Sequence, residues 1–245
     1  MKKFLLATFV TTTLFAGSVS FNQASANNYD VAYRDVKVKL DGKLDEKVWQ
    51  GLGEISGSFH YPWEMVEAPL TKFKAFHDNT NFYFSFEVFD KEVLADKEWK
   101  GESTVDMEDR VELFFAQTTV DKPVQYKLIP YYATEVDAYG RAHDYKIDYY
   151  RKFDSEYNIE GAKNAAKITK TGYTVEGMIP LKSLRDLSLI NADNIMRTGV
   201  FRAEFSKMAN NEIKMQWISW VNPKTPVPDF HVDSAFGEFR FLELK

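Results

Sequence analysis

The chain has 245 residues, with 36 acidic and 31 basic side chains, a formal net charge of −5 and no cysteine. The acidic balance argues against nucleic acid and anionic membranes as partners, because both would repel the protein. The lack of cysteine excludes disulfides and thiolate metal sites, so a packed core has to supply the stability.

The N-terminal segment has the pattern of a secretory signal peptide. Two lysines precede an apolar stretch over residues 4–16, and the small residues Ala24 and Ala26 follow. The apolar stretch is shorter than the roughly 20 residues that a membrane-spanning helix needs. We therefore expect residues 1–26 to be a cleaved leader and the protein to be exported, to the periplasm or the medium, without membrane insertion.

The remaining residues, 27–245, are enough for one hydrophobic core at about 100–200 residues per domain. They contain no Pro/Gly/Ser-rich linker and no fixed-period repeat that would divide them. We therefore predict a single domain over residues 27–245.

The predicted elements of this domain are mainly strands. In chain order we expect a short helix at 44–50, strands around 82–88, 110–115 and 173–179, a second short helix at 181–187, and a strand around 201–205. Apolar and polar residues alternate in the strands, most clearly at Phe82, Phe84, Phe86 and Val88. Short turn sequences between the strands favour antiparallel neighbours. The pattern predicts an all-β protein, an antiparallel β-sandwich of jelly-roll type with one or two short helices.

Several charged residues stand in the middle of predicted strands and are interpreted as pointing away from the core. They are Glu87, Glu112, Lys127, Glu176, Arg202 and Glu204. In the last strand this interpretation places Phe201 and Phe205 inward. The polar face is either an ordinary solvated surface with cross-strand ion pairs or a face whose charged groups bind the hydroxyls of a sugar.

Five segments, in order, resemble the carbohydrate-binding module family 9-like (DOMON-like) β-sandwich. They are residues 40–49, 73–84, 109–115, 172–180 and 236–241, which together extend over most of the predicted domain. The resemblance implies an exported carbohydrate-binding protein that recognises a poly- or oligosaccharide and supports polysaccharide catabolism. It is also compatible with a separate glycoside hydrolase as a partner.

The resemblance further implies a site in which two aromatic rings enclose a terminal sugar and polar side chains lie between them. Aromatic faces suit the C–H faces of a pyranose, and charged side chains bind its hydroxyls. By motif, the strand glutamate of the family falls on Glu112, its basic strand residue on Lys127 and its second ring on Phe230.

The first ring of the family site does not carry over, because Asp106 stands at that position. Trp63 and Trp99 are the candidates to replace it as sugar-binding residues. Of the other tryptophans, Trp49 is expected to pack in the core. Trp217 and Trp220 are three positions apart in a strand and therefore face opposite ways, so that one packs in the core and the other borders the site.

The resemblance also implies calcium in a structural role, supporting loops near the site. The densest acidic cluster, Asp106, Glu108 and Asp109, lacks the spacing and the glycine of a dedicated calcium loop. We interpret it as a solvated acidic turn, which leaves the position of any calcium open.

Three other functions stay open at this point. Related sandwiches bind haem b for electron transfer, and Met107, Met215 and His231 are the candidate axial ligands. A glycoside hydrolase needs only two well-placed carboxylates, which 36 acidic residues do not exclude. A structural or protein-interaction role is the third.

Overall fold

The computed structural model describes residues 27–117, 130–149 and 151–243. Within these ranges the chain forms twelve strands and two short α-helices. They are β1 (Asn28–Tyr33), α1 (Lys47–Gln50), β2 (Thr71–His77), β3 (Asn81–Phe89), β4 (Arg110–Ala116), β5 (Tyr131–Asp137), β6 (Ala142–Tyr149), β7 (Lys152–Asp154), β8 (Lys163–Ile168), β9 (Gly172–Pro180), α2 (Leu181–Asp186), β10 (Ile195–Lys207), β11 (Ile213–Ser219) and β12 (Gly237–Phe241). Two 3₁₀ turns, Glu102–Met107 and Asp233–Ala235, complete the elements.

The strands form two sheets that β1 joins. The front sheet has the order β7-β6-β5-β4-β10-β12-β1, with β11 also paired to β10, and the back sheet has the order β2-β3-β9-β8. The first half of β1 pairs with β12 and its end pairs with β2. The predicted all-β, sandwich-like fold is confirmed. One detail differs, because both pairings of β1 are parallel, whereas the other described pairings are antiparallel.

The main core lies between the two sheets and follows the predicted alternation. Phe82, Phe84, Phe86 and Val88 of β3 all belong to it, together with the inward residues of β4, Val111, Leu113 and Phe115. The antiparallel ladders bring these side chains together, because residues two apart on a strand share a face.

A smaller cluster covers the outer face of the back sheet. Two of its rings, Phe76 and Tyr83, are stacked with their centroids 4.7 Å apart, and Trp49 of α1 packs edge-on against Phe76 at a centroid distance of 5.3 Å. The expectation that Trp49 is a packing residue is confirmed.

Glu176 of β9 is fully buried beneath this cluster, so the expectation that it belongs to a solvated face is wrong. Its carboxylate accepts hydrogen bonds from the backbone N–H of Asp41 at 3.1 Å and of Gly42 at 2.9 Å, and from Nε1 of Trp49 at 3.2 Å. Gly42 has φ +74°, and a Cβ there would lie 2.4 Å from the carbonyl carbon of Ala166. Glycine is therefore needed at position 42 for the chain to reach the carboxylate.

The expected orientation of β10 is also wrong. Arg202 is fully buried and lies opposite Ile218, a residue of the main core, so Arg202 points between the sheets. Phe201 lies opposite Glu112 of β4 and packs outside the core, against Phe114. Both faces of β10 are apolar in part, and alternation alone does not show which of them is inward.

Arg202 is compensated inside the sandwich. Its guanidinium pairs with Glu204, and it also donates to Oγ1 of Thr71 and to the carbonyl of Phe89, each at 3.2 Å. Glu204 is likewise buried and not part of a solvated face. An unpaired charge at this depth would be costly, so the pair belongs to the architecture of the fold.

Two of the sequence predictions fall outside the described ranges. They are the leader, residues 1–26, and the candidate sugar-binding residue Lys127. In the ranges that are described, none of the helices has the length and apolar character needed to cross a membrane.

Candidate functional site

A pocket of about 200 Å³ opens on the outer face of the front sheet. Its lining divides into an aromatic wall, a charged floor from β4 and β5, and a polar rim from the loop before β12. The lining residues are Trp63, Arg110, Glu112, Phe114, Glu135, Arg151, Trp217, Pro228, Asp229, Phe230 and His231.

The floor is formed by three charged residues that the strand register brings together. Glu112 of β4 lies directly opposite Glu135 of β5, and Arg110 precedes Glu112 by two positions on the same face. Nε of Arg110 lies 3.0 Å from Oε1 of Glu112 and 2.5 Å from Oε2 of Glu135. Tyr145 donates its hydroxyl to the other oxygen of Glu135 at 2.7 Å. Two like charges opposite each other destabilise a sheet, and Arg110 offsets that repulsion.

The carboxyl group of Glu112 is almost completely buried, so it does not lie on a solvated face either. Burial, and then the charge on Glu135, raises the pKa of Glu112 and Arg110 lowers it, with a net pKa of about 8. At neutral pH this carboxyl therefore holds a proton for much of the time and can donate as well as accept a hydrogen bond.

The aromatic wall combines a packed ring with two that are partly accessible. Phe230 is only 6% exposed and stacks on Phe201, with the ring centroids 4.2 Å apart. Trp63 lies 5.4 Å from Phe230 and Trp217 lies 6.1 Å from it, in an edge-on arrangement. Nε1 of Trp63 donates to the carbonyl oxygen of Thr225 at 2.9 Å, which fixes the orientation of the indole. Trp63 and Trp217 therefore offer the ring faces that a ligand can reach.

His231 closes the rim of the pocket as a neutral imidazole. Its Nδ1 lies 2.6 Å from the hydroxyl of Tyr131, and its ring stacks on Phe114 at 5.2 Å. Burial, and then the charge of Arg151, lowers the pKa of His231 to about 4. The ring is also packed edge-on against Phe153 at 5.3 Å.

This packing bears on the haem alternative. The other two proposed axial ligands, Met107 and Met215, are exposed, and neither lines the pocket that His231 borders. The described residues therefore offer no enclosed site in which His231 and a methionine face each other.

The structure brings three of the sequence-predicted site residues together, namely Trp63, Glu112 and Phe230. Trp99 does not line the pocket, and its ring lies 5.2 Å from the guanidinium of Arg141. The two other tryptophans face as expected, because Trp220 is buried in the main core and Trp217 borders the pocket.

Sequence reasoning missed the other two residues of the floor. Arg110 shares a face with Glu112 at a spacing of two, so the strand alternation could have identified it. Glu135 becomes visible only through the register between β4 and β5, which one sequence does not supply.

The acidic cluster before β4 is not a solvated turn, contrary to expectation. Asp109 is fully buried, Glu108 pairs with Arg141 at 2.8 Å, and Asp106 lies 2.6 Å from Nδ1 of His143. Glu108 and Asp106 therefore have side-chain partners, and the carboxylate of Asp109 accepts from the backbone N–H of Phe205 at 2.7 Å.

Asp109 also takes part in a second group of carboxylates, at the opposite end of β4 from Phe114. One oxygen each from Asp90, Asp109 and Glu204 lie within 4.8 Å of one another. Oδ2 of Asp90 is buried and accepts no hydrogen bond from the part of the chain that the structure describes. Clustered carboxylate oxygens are the ligands that calcium prefers. The three oxygens converge as calcium ligands do, but Nη2 of Arg202 pairs with Glu204 and lies 3.9 Å from Oδ2 of Asp90, so a guanidinium already supplies positive charge to this group.

The sequence profile of the family described as "Carbohydrate family 9 binding domain-like" matches residues 40–244. The chain belongs to this family. The first residue of the match is Leu40, at the start of the segment that reaches Glu176.

Three solved structures have a fold similar to that of this chain. A candidate carbohydrate-binding protein from Bacteroides uniformis aligns with a TM-score of 0.63 and 16% identity, over 88% of this chain and 99% of that protein. A carbohydrate-binding module of family 9 from Caldicellulosiruptor kristjanssonii, in complex with cellotriose, aligns with a TM-score of 0.57 and 18% identity, over 89% of this chain and 95% of the module. A family 9 module from the same organism in complex with glucose aligns with a TM-score of 0.53 and 18% identity, over 89% of this chain and 97% of the module. No match is found among curated proteins.

Proposed function

We propose that this protein is an exported carbohydrate-binding protein that holds a sugar residue of a poly- or oligosaccharide in the pocket of the front sheet. The observation that carries the proposal is the combination, in one small pocket, of accessible indole faces and a buried charged floor. Membership of the family and the saccharide complexes of two solved relatives support it.

The pocket residues suit both surfaces of a pyranose. The faces of Trp63 and Trp217 pack against the C–H groups of the ring. Glu112, Glu135 and Arg110 bind hydroxyls, and hydrogen bonds to charged groups contribute about 1.5–3 kcal/mol each. At about 200 Å³ the pocket is smaller than the usual site for a drug-sized ligand, which favours a single sugar residue.

The arrangement of the floor favours binding over hydrolysis. Glycoside hydrolases place two carboxyl groups on either side of the scissile bond, with the substrate between them. Here Arg110 occupies the space between Glu112 and Glu135, at 3.0 and 2.5 Å from the two carboxylates. We therefore propose that any hydrolysis is carried out by a separate glycoside hydrolase, which this protein assists in polysaccharide catabolism.

Calcium and export belong to the same proposal. We propose calcium in a structural role, with Asp90, Asp109 and Glu204 as its ligands because their oxygens converge; an ion bound there would have to compete with the guanidinium of Arg202, which pairs with Glu204 and lies 3.9 Å from Oδ2 of Asp90. Export rests on the pattern of the first 26 residues.

A saccharide array tests the proposal. We expect the purified protein to bind one or more arrayed saccharides, and Trp63→Ala to weaken that binding about tenfold or more, since 1.4 kcal/mol is one decade in affinity. Trp63→Phe keeps a ring and serves as the matched control, which should retain most of the binding. Melting temperatures of both variants show whether they fold.

Two results would contradict the proposed site. One is the lack of binding to any saccharide by the wild-type protein. The other is unchanged affinity of a folded Trp63→Ala variant.

A further inference from the structure

Two more accessible rings lie outside the pocket, in the loop before the 3₁₀ turn Glu102–Met107 and in the turn between β5 and β6, and both lie against one guanidinium. Cζ of Arg141 is 5.2 Å from the ring centroid of Trp99 and 5.0 Å from that of Tyr139. Trp99 is 46% exposed and Tyr139 is 38% exposed, whereas the side chain of Arg141 is only 17% exposed. At this position the rings, rather than the charge, face the solvent. We call Trp99 and Tyr139 the distal platform.

The guanidinium that supports the distal platform is fixed and neutralised. Nε of Arg141 donates to Asp137 at 2.5 Å, and Nη2 donates to Glu108 at 2.8 Å. Both acids are buried. Because its charge is already balanced, Arg141 attracts no anionic ligand, and its effect is to hold the two rings in place. A platform held in this way loses little conformational entropy on binding, and it suits a neutral partner.

The distal platform continues the face that carries the pocket. Asp137, the partner of Arg141, lies directly opposite Arg110, which is part of the pocket floor. Glu135, also in the floor, precedes Asp137 by two positions on β5, so both side chains are on one face. Two residues of a strand advance by about 7 Å. The distal platform therefore lies within a few sugar residues of the pocket, along the direction of β4 and β5.

We propose that the distal platform is a second subsite, which stacks a further sugar residue of the same glycan chain whose first residue occupies the pocket. The occupant is a neutral pyranose, because the accessible surface is aromatic and the charges behind it are paired. This inference rests on the proposed function, and it extends that function from a single sugar to an oligosaccharide chain.

The test is calorimetric titration with β-glucan, xylan and mannan oligosaccharides, each at lengths of two to six residues. For the wild-type protein we expect affinity to rise about tenfold with length. Trp99→Ala should abolish that rise and leave the affinity for the shortest bound oligosaccharide unchanged. Trp99→Phe should keep part of the rise, and Ile168→Ala, which truncates an exposed apolar residue of β8 in the back sheet, should keep all of it.

The outcomes separate this inference from the proposed function. Binding without a gain from length, or a Trp99→Ala variant that keeps the gain, overturns the second subsite alone. No binding at any length, together with no binding on the saccharide array, overturns the proposed function as well. Analytical ultracentrifugation gives one further outcome, since a dimer that Trp99→Ala dissociates would assign the distal platform to a second copy of the chain.

Discussion

Truncation of Phe230 to alanine tests whether this ring is mainly a part of the fold or mainly a contact for the ligand. The ring is 6% exposed and packs against Phe201, Trp63 and Trp217 at centroid distances of 4.2, 5.4 and 6.1 Å. Replacing a buried phenylalanine by alanine costs about 3–5 kcal/mol. Because Phe230 borders an open pocket, part of the new cavity is accessible to water. We therefore expect the free energy of unfolding to decrease by about 3 kcal/mol, at the lower end of that range.

Equilibrium unfolding in urea, followed by tryptophan fluorescence, measures this loss. For a domain of this size, 3 kcal/mol corresponds to a decrease of about 6–12 °C in the melting temperature. Phe230→Leu is the matched control, since it keeps most of the apolar volume and should cost less than about 1.5 kcal/mol. If Phe230→Ala loses less than about 1 kcal/mol and yet binds no sugar, the ring is a ligand contact and the packing argument is refuted.

Three other predictions concern the protonation of Glu112, the binding of calcium and the cleavage of the leader. Because the pKa of Glu112 is raised in the folded protein, its contribution to stability is fully present below about pH 4.5 and is lost as the pH rises through about 8, at no more than about 1.4 kcal/mol per pH unit. Glu112→Gln should therefore flatten the dependence of melting temperature on pH. Parallel profiles of the wild type and the variant would refute this. Chelation of calcium should lower the melting temperature, and an unchanged melting curve in excess chelator would remove the metal from the account. Intact-mass measurement of protein recovered from the periplasm or medium should show a chain that begins at Asn27, and a retained leader would contradict the predicted cleavage.

Strand alternation predicts those parts of the fold in which only one face of a strand is apolar. Phe82, Phe84 and Phe86 lie in the core as expected, because Ser85 and Glu87 identify the other face. The cross-strand ion pair expected on that face is present, with Lys72 and Glu87 at 2.9 Å.

Alternation fails where both faces of a strand are covered. In β10, Phe201 packs outside the main core and Arg202 is buried between the sheets. Glu204, two positions along the strand, compensates the charge of Arg202, but its other partners, Thr71 and Phe89, are distant in the sequence and cannot be identified from the strand pattern. Glu176 is misassigned for a related reason, since the residues that cover it lie more than 120 positions away in the sequence.

The candidate site was predictable in part. The resemblance of their motifs identifies Glu112 and Phe230, and Trp63 is a candidate because it is an alternative ring in a loop. Glu135 and Arg110 are not identified in this way, because the charged floor depends on strand register, which is a property of paired strands and not of a single segment.

Binding of sugar in the pocket can be observed through the indole N–H resonances of a ¹⁵N-labelled sample during titration with the best saccharide from the array. We expect the signals of Trp63 and Trp217 to shift with one common dissociation constant, because both rings line the pocket. Trp49 and Trp220 are buried elsewhere and should not shift. Saturable binding in which the signals of Trp63 and Trp217 do not shift would show that the sugar binds outside the pocket.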